Sequence, residues 1–159
     1  CAYSFAKEDS LSGVCASKAR TFSERFAGIS QEALIYRGNE AWFRSYEADS
    51  EAEKREALKQ CERSYRTITE LYPDQYQGYL YLGLYHSYLS GDHKKAIALY
   101  REAIELNPQW FPTYRDLAYS TKNIEGEGAA VELLESFVAT YPDAPGVPYA
   151  RQTIKEIKG

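Results

Sequence analysis

The stretch GDHKKAIALYREAIELNP, residues 91–108, sets a small residue, a ring, a second small residue and a proline at fixed intervals: Ala96, Tyr100, Ala103 and Pro108. The first three are three or four apart, so they share one face of a helix. Gly91 can take the left-handed backbone that closes a preceding helix, and Asp92 can cap the one that follows. Pro108 has no amide hydrogen and restricts Asn107, so the helix stops there. One helix is thus delimited at both ends, with its apolar face specified.

The same spacing recurs. Ala130, Leu134, Phe137 and Pro142 repeat it downstream, and Cys61, Tyr65, Ile68 and Pro73 repeat it upstream, with the prolines 35 and 34 residues apart. A second pattern precedes each of the later copies. Tyr79, Leu82-Gly83 and His86 stand in the middle one, and Tyr114, Leu117-Ala118 and Thr121 in the last. Gly83 and Ala96 are small enough for two helices to come close there, and Tyr79 and Tyr100 are large enough to fill the space beside such a contact.

These residues resemble the tetratricopeptide repeat, whose 34-residue signature runs Trp-x2-Leu-Gly-x2-Tyr, then Ala-x3-Phe-x2-Ala-x4-Pro. The resemblance covers roughly residues 30–142. It implies an all-α fold: a short right-handed α-solenoid of about three helical hairpins, over 30–73, 74–108 and 109–142. A tether and amphipathic helix would occupy 1–29, and a capping helix 143–159. In the first segment a stripe of Leu11, Cys15, Ala19, Phe22 and Phe26 defines a helix over about 8–27 that should dock on the first hairpin. In the last, Val147, Ala150, Ile154 and Ile157 line one side of a helix whose other side is polar, as a terminal cap requires.

Three departures from the repeat carry expectations. The middle copy has one extra residue between Gly83 and Ala96, around Ser87–Ser90. The last copy has Thr121 and Phe137 where a Tyr and a small residue are usual. Aligning Gly38 with Gly83 leaves eleven surplus residues before Cys61, and the Ala, Glu and Lys of RSYEADSEAEKREALKQ predict that longer helices absorb them.

A net charge of −4 with no local Lys/Arg cluster argues against nucleic acid. Apolar runs are too short to cross a membrane. His86 and His93 lack Cys or acidic partners at metal-binding intervals, so no metal or cofactor is expected, and His86 is expected in the core. GEG at 126–128 reads as a turn between helices. Acidic runs such as EADSEAEKRE fit a solvated helix face with i,i+4 Glu–Lys partners rather than catalytic carboxylates, so no enzyme is expected. With Met absent and Cys1 first, Cys1 is expected to be the lipidated residue of a bacterial lipoprotein; the alternative is an arbitrary start to the numbering. Cys15 and Cys61 could bridge in an oxidising compartment, while their apolar spacing favours buried free thiols.

Tetratricopeptide stacks hold partner segments against their first helices. The resemblance puts Leu80, Leu84 and Tyr88 of the middle copy and Arg115, Tyr119 and Lys122 of the last on that groove. Leu80 and Leu84 stand where the family's peptide-carboxylate clamp has Lys and Asn, so that clamp is not expected. They could equally pack against a neighbouring helix. The implied function is a non-enzymatic protein-binding scaffold, in a lipid-anchored envelope assembly on the periplasmic side; without the lipid, a cytoplasmic one. A small-molecule-binding component of a transporter is the alternative reading, and a homo-oligomer is open. Membrane contact is expected only through a lipid on Cys1.

Overall fold

The computed structural model describes residues 30–159, of which 31–159 form one compact unit. Cys1, Cys15, the 8–27 helix and the 1–29 tether lie outside the described residues. Among those described, helices α1 (Gln31–Glu47), α2 (Glu51–Leu71), α3 (Tyr76–Leu84), α4 (His93–Leu106), α5 (Phe111–Glu125), α6 (Glu127–Thr140) and α7 (Val147–Lys158) follow one another without a strand. A five-residue π turn, Tyr85–Leu89, continues α3.

Helices pair as hairpins, α1 with α2, α3 with α4 and α5 with α6, and each hairpin packs on the next; α7 covers the last. The small-to-large contact inside a hairpin recurs in register. A Cβ added to Gly83 would sit 2.6 Å from the Tyr100 ring, and one added to Gly38 would strike the Tyr65 ring. Ala118 and Leu134 hold the matching places of the last hairpin and are both fully buried. Gly38 therefore belongs where Gly83 and Ala118 belong.

The surplus residues of the first copy lengthen its helices, chiefly α2, which spans 21 residues against 14 for α4 and α6. Ser50 starts it, its hydroxyl accepting from the Glu53 amide at 3.2 Å. The extra residue of the middle copy is taken up by the π turn, which begins two residues before the expected Ser87–Ser90. An i→i+5 turn accommodates one added residue inside a helix without breaking it. Gly91 follows with φ 69°, and Asp92 caps α4 by accepting from the Lys95 amide at 3.2 Å. GEG is a shorter turn than expected. Gly126 alone leaves the helical path, at φ 94°, and α6 already begins at Glu127.

Hydroxyls of two repeat tyrosines tie successive copies. Tyr79 donates to the Pro73 carbonyl at 3.2 Å, and Tyr114, in the same register, to that of Pro108 at 3.1 Å. A tyrosine in the usual tryptophan place thus satisfies a carbonyl that the proline break leaves exposed. Phe137, large where a small residue is usual, is buried against Phe111, Tyr114 and Tyr141. Cys61 is a buried free thiol, and desolvation pushes it up to about 12, far from the thiolate that redox chemistry needs. His86 is buried beside Tyr85, with Nδ1 3.2 Å from the Ser90 hydroxyl; burial lowers its affinity for a proton.

Candidate functional site

Six residues were expected on the groove, and the structure divides them. Leu80 and Leu84 are half-buried and pack against the cluster of Ala96, Ile97, Tyr100 and Leu117. They support the face from beneath while keeping part of their surface exposed. Tyr88, Arg115, Tyr119 and Lys122 are exposed.

Tyr88 and Tyr119 come together across the second and third hairpins. Their rings lie 5.1 Å apart and within 7° of parallel, and each ring is a little under half exposed. The π turn and a neighbouring residue hold them there. One residue before Tyr88, the Ser87 hydroxyl meets that of Ser120 at 3.0 Å, both buried. His93 stands edge-on to Tyr119 at 5.7 Å, its Nδ1 3.4 Å from the Ser120 hydroxyl. The space between α5 and the end of α3 is filled at this level.

Beneath the pair lies a carboxylate. Asp116 is 3% exposed and accepts from Arg115 Nε at 3.2 Å and Nη2 at 3.1 Å, and from the Tyr88 hydroxyl at 3.5 Å. Burial holds its carboxyl above the ordinary aspartate range, while Arg115 pulls the other way. Burial and the nearby Asp116 charge together push the Tyr88 phenol up to about 12, so it stays a donor at all ordinary pH. Lys122 pairs with Glu127 at 2.8 Å, both exposed, a contact that a ligand carboxylate could exchange at little cost.

The two cations expected on the groove are therefore each partnered within the chain, and Asp116, Ser87, Ser120 and His93 belong to the site although sequence reasoning passed over them. A signal existed for Asp116. It occupies the repeat place of Tyr36 and Tyr81, and Tyr81 stacks on Tyr65 of α2 at 5.3 Å. A carboxylate in a place that packs a ring on the preceding hairpin is a candidate for burial, although Tyr36, in that place of the first hairpin, is exposed. A companion substitution follows the same logic. Asn39 accepts from the Tyr65 hydroxyl at 2.7 Å, whereas Leu84 stands in its repeat place beside Tyr100, whose buried hydroxyl makes no hydrogen bond. Among the described residues no three His, Cys, Asp or Glu converge as metal ligands.

No protein-family profile and no curated protein sequence matches this chain. Solved structures do. The yeast Sti1 TPR2AB-domain:pHSP90 complex superposes with a TM-score of 0.63 at 18% identity, covering 96% of this chain and 57% of that one. The fold is that of a tetratricopeptide-repeat solenoid. The yeast Sti1 TPR2B-domain:pHsp70 complex follows at a TM-score of 0.53 and 17% identity, over 77% of this chain and 97% of that one. MamA matches at 0.59 and 16%, over 99% and 84%. This solenoid thus spans a little over half the length of the first of these, and at such identities the likeness is one of fold.

Proposed function

We propose that this tetratricopeptide-repeat chain is a non-enzymatic scaffold that holds an extended segment of a partner protein across α3 and α5, anchored on the Tyr88–Tyr119 pair. The observation that carries the reading is the pair itself: two half-exposed rings, parallel and in contact. A rigid, flat, partly apolar surface costs little entropy when a partner residue stacks on it. Ser87–Ser120 below and Asp116 at the Tyr88 hydroxyl keep the rings from collapsing inward. Arg115 and Lys122 flank Tyr119 at three or four residues on either side, so a segment bearing an apolar anchor and an acidic residue suits the face. The two Sti1 structures, solved with pHSP90 and pHsp70, support a partner of this kind.

Direct measurement decides it. Partners captured from native extract by the wild-type chain are identified, and their segments are titrated against wild type and Tyr119→Ala. Loss of about 2 kcal/mol of binding, near thirtyfold in Kd, is expected for a hot-spot ring. Lys122→Ala should act mainly on association rate and salt dependence. Equal affinity in all three proteins refutes the groove.

The transporter alternative calls for an enclosed cavity, whereas the Tyr88–Tyr119 face is exposed, which favours the scaffold reading. The proposed envelope setting rests on Cys1, outside the described residues. An intact mass raised by an acyl-glyceryl group, with partition into detergent, is the outcome expected of it; a soluble native protein with unmodified Cys1 removes it.

A further inference from the structure

The hairpins give the stack two unlike edges. Helices α1, α3, α5 and α7 all begin at one edge, and α2, α4 and α6 end there. The connections on it read YPDQY (72–76), NPQWF (107–111) and YPDAPG (141–146), and Tyr149 follows in the first turn of α7. The three connections hold five aromatic rings and no Lys or Arg, and Tyr149 adds a sixth ring. The opposite connections, 48–50, 90–92 and Gly126, hold none.

Two ring contacts lie along this edge. Tyr76 meets Trp110 at 6.1 Å, and Phe111, beside Trp110, stacks with Tyr149 at 6.5 Å. Trp110 is 43% exposed and Tyr149 68%, and Leu106 is exposed beside the same connection. Packing inside the stack explains Phe111, which is buried, but leaves Trp110, Leu106 and Tyr149 facing water. Indole and phenol rings with an apolar body and a polar tip, among Asn, Gln and Pro, match the chemistry of a membrane–water interface.

We propose that this edge is a membrane-contact surface that seats Trp110 and Tyr149 among the headgroups of a zwitterionic bilayer. Charge selects the lipid. The exposed charges of the three connections are Asp74 and Asp143, which an anionic surface repels. Among the described residues no helix is long and apolar enough to cross a membrane, so the contact is interfacial. It is independent of the Tyr88–Tyr119 groove and of any lipid on Cys1, although an acyl chain there would be the second signal that stable anchoring needs.

The test uses the full 159-residue chain, which has two tryptophans. Trp42→Phe leaves Trp110 as the sole indole, and a Trp42→Phe/Trp110→Phe/Gly128→Trp variant moves it to the opposite edge, where a side chain on Gly128 would meet nothing within 4 Å. Both are mixed with phosphatidylcholine vesicles brominated in the acyl chains, at millimolar lipid. Trp110 emission should shift to the blue and fall by about half or more, while the indole at position 128 stays unquenched. Tyr149→Ser should reduce the bound fraction severalfold, and replacing half the lipid by phosphatidylglycerol should weaken binding. Tyr119→Ala should change nothing, which separates this surface from the groove. No quenching, equal quenching at both edges, or binding that needs anionic lipid overturns the proposal. So does protection of Trp110 by a captured protein but not by vesicles.

Discussion

At the scale of single residues, the hairpin contact depends on a missing Cβ. Gly83 faces the Tyr100 ring so closely that an added methyl would lie 2.6 Å from it, and Tyr100 is fully buried with nowhere to move. Gly83→Ala should cost on the order of 1–3 kcal/mol in a urea titration, as overpacking of a filled core does. Gly128→Ala, in the first turn of α6 with open space around it, should instead be neutral or stabilising by about 0.5 kcal/mol. Asp116 predicts a pH signature. Its folded carboxyl holds a proton to higher pH than an unfolded aspartate does. Folding therefore takes up a proton in that window, and this group's contribution falls as pH rises from the ordinary aspartate value to the folded one, then levels off. The stability of wild type minus that of Asp116→Asn should decline over that interval in equilibrium melts. A flat difference would mean that Arg115 fully offsets the burial.

Each helix carries its own start signal, and the signals can be removed one at a time. Ser50 is the N-cap of α2, and Ser50→Ala should lower stability by about 0.5–2 kcal/mol without altering the Tyr88–Tyr119 site. The π turn is the more informative element. It shifts everything after Gly83 by one residue relative to the last hairpin, so Tyr88 reaches Tyr119 because the turn is there. Deleting Ser87 restores the twelve-residue spacing found between Ala118 and Ala130. An α-helix turns ~100° per residue, so Tyr88 should leave Tyr119. The NMR ring-to-ring contact should disappear while circular dichroism keeps its helical signal. Ser87→Ala, which removes only the hydroxyl pair, should keep the rings stacked.

Among the described residues, contacts run chiefly between helices adjacent in the chain, with α7 reaching back to α5 as well, so stability is largely a sum of local terms, as in other solenoids. The last hairpin then depends on α7, because Val147 and Ala150 are buried in one cluster with Phe111 and Phe137. Removing residues 143–159 should expose those two rings, lower the melting temperature and raise binding of a hydrophobic dye. The first hairpin should be affected least.

Repeat spacing was legible without coordinates because its causes are local. Small and large residues three or four apart define a helix face, and Gly91, Asp92 and Pro108 act within a turn of themselves. Those features determined the all-α hairpin stack, its register through Gly38, Gly83 and Ala118, and the existence of one surplus residue near Ser87. The site was only half legible. Tyr88, Arg115, Tyr119 and Lys122 could be placed on an exposed face, but their partners belong to other helices or to buried neighbours. That Leu80 and Leu84 serve the core, that Asp116 is buried under Tyr88, and that Tyr88 stacks on Tyr119 depend on how α3 and α5 rotate against each other. Periodicity gives each helix a face. The π turn and the packing between hairpins decide which face meets which, and only the tertiary structure contains that information.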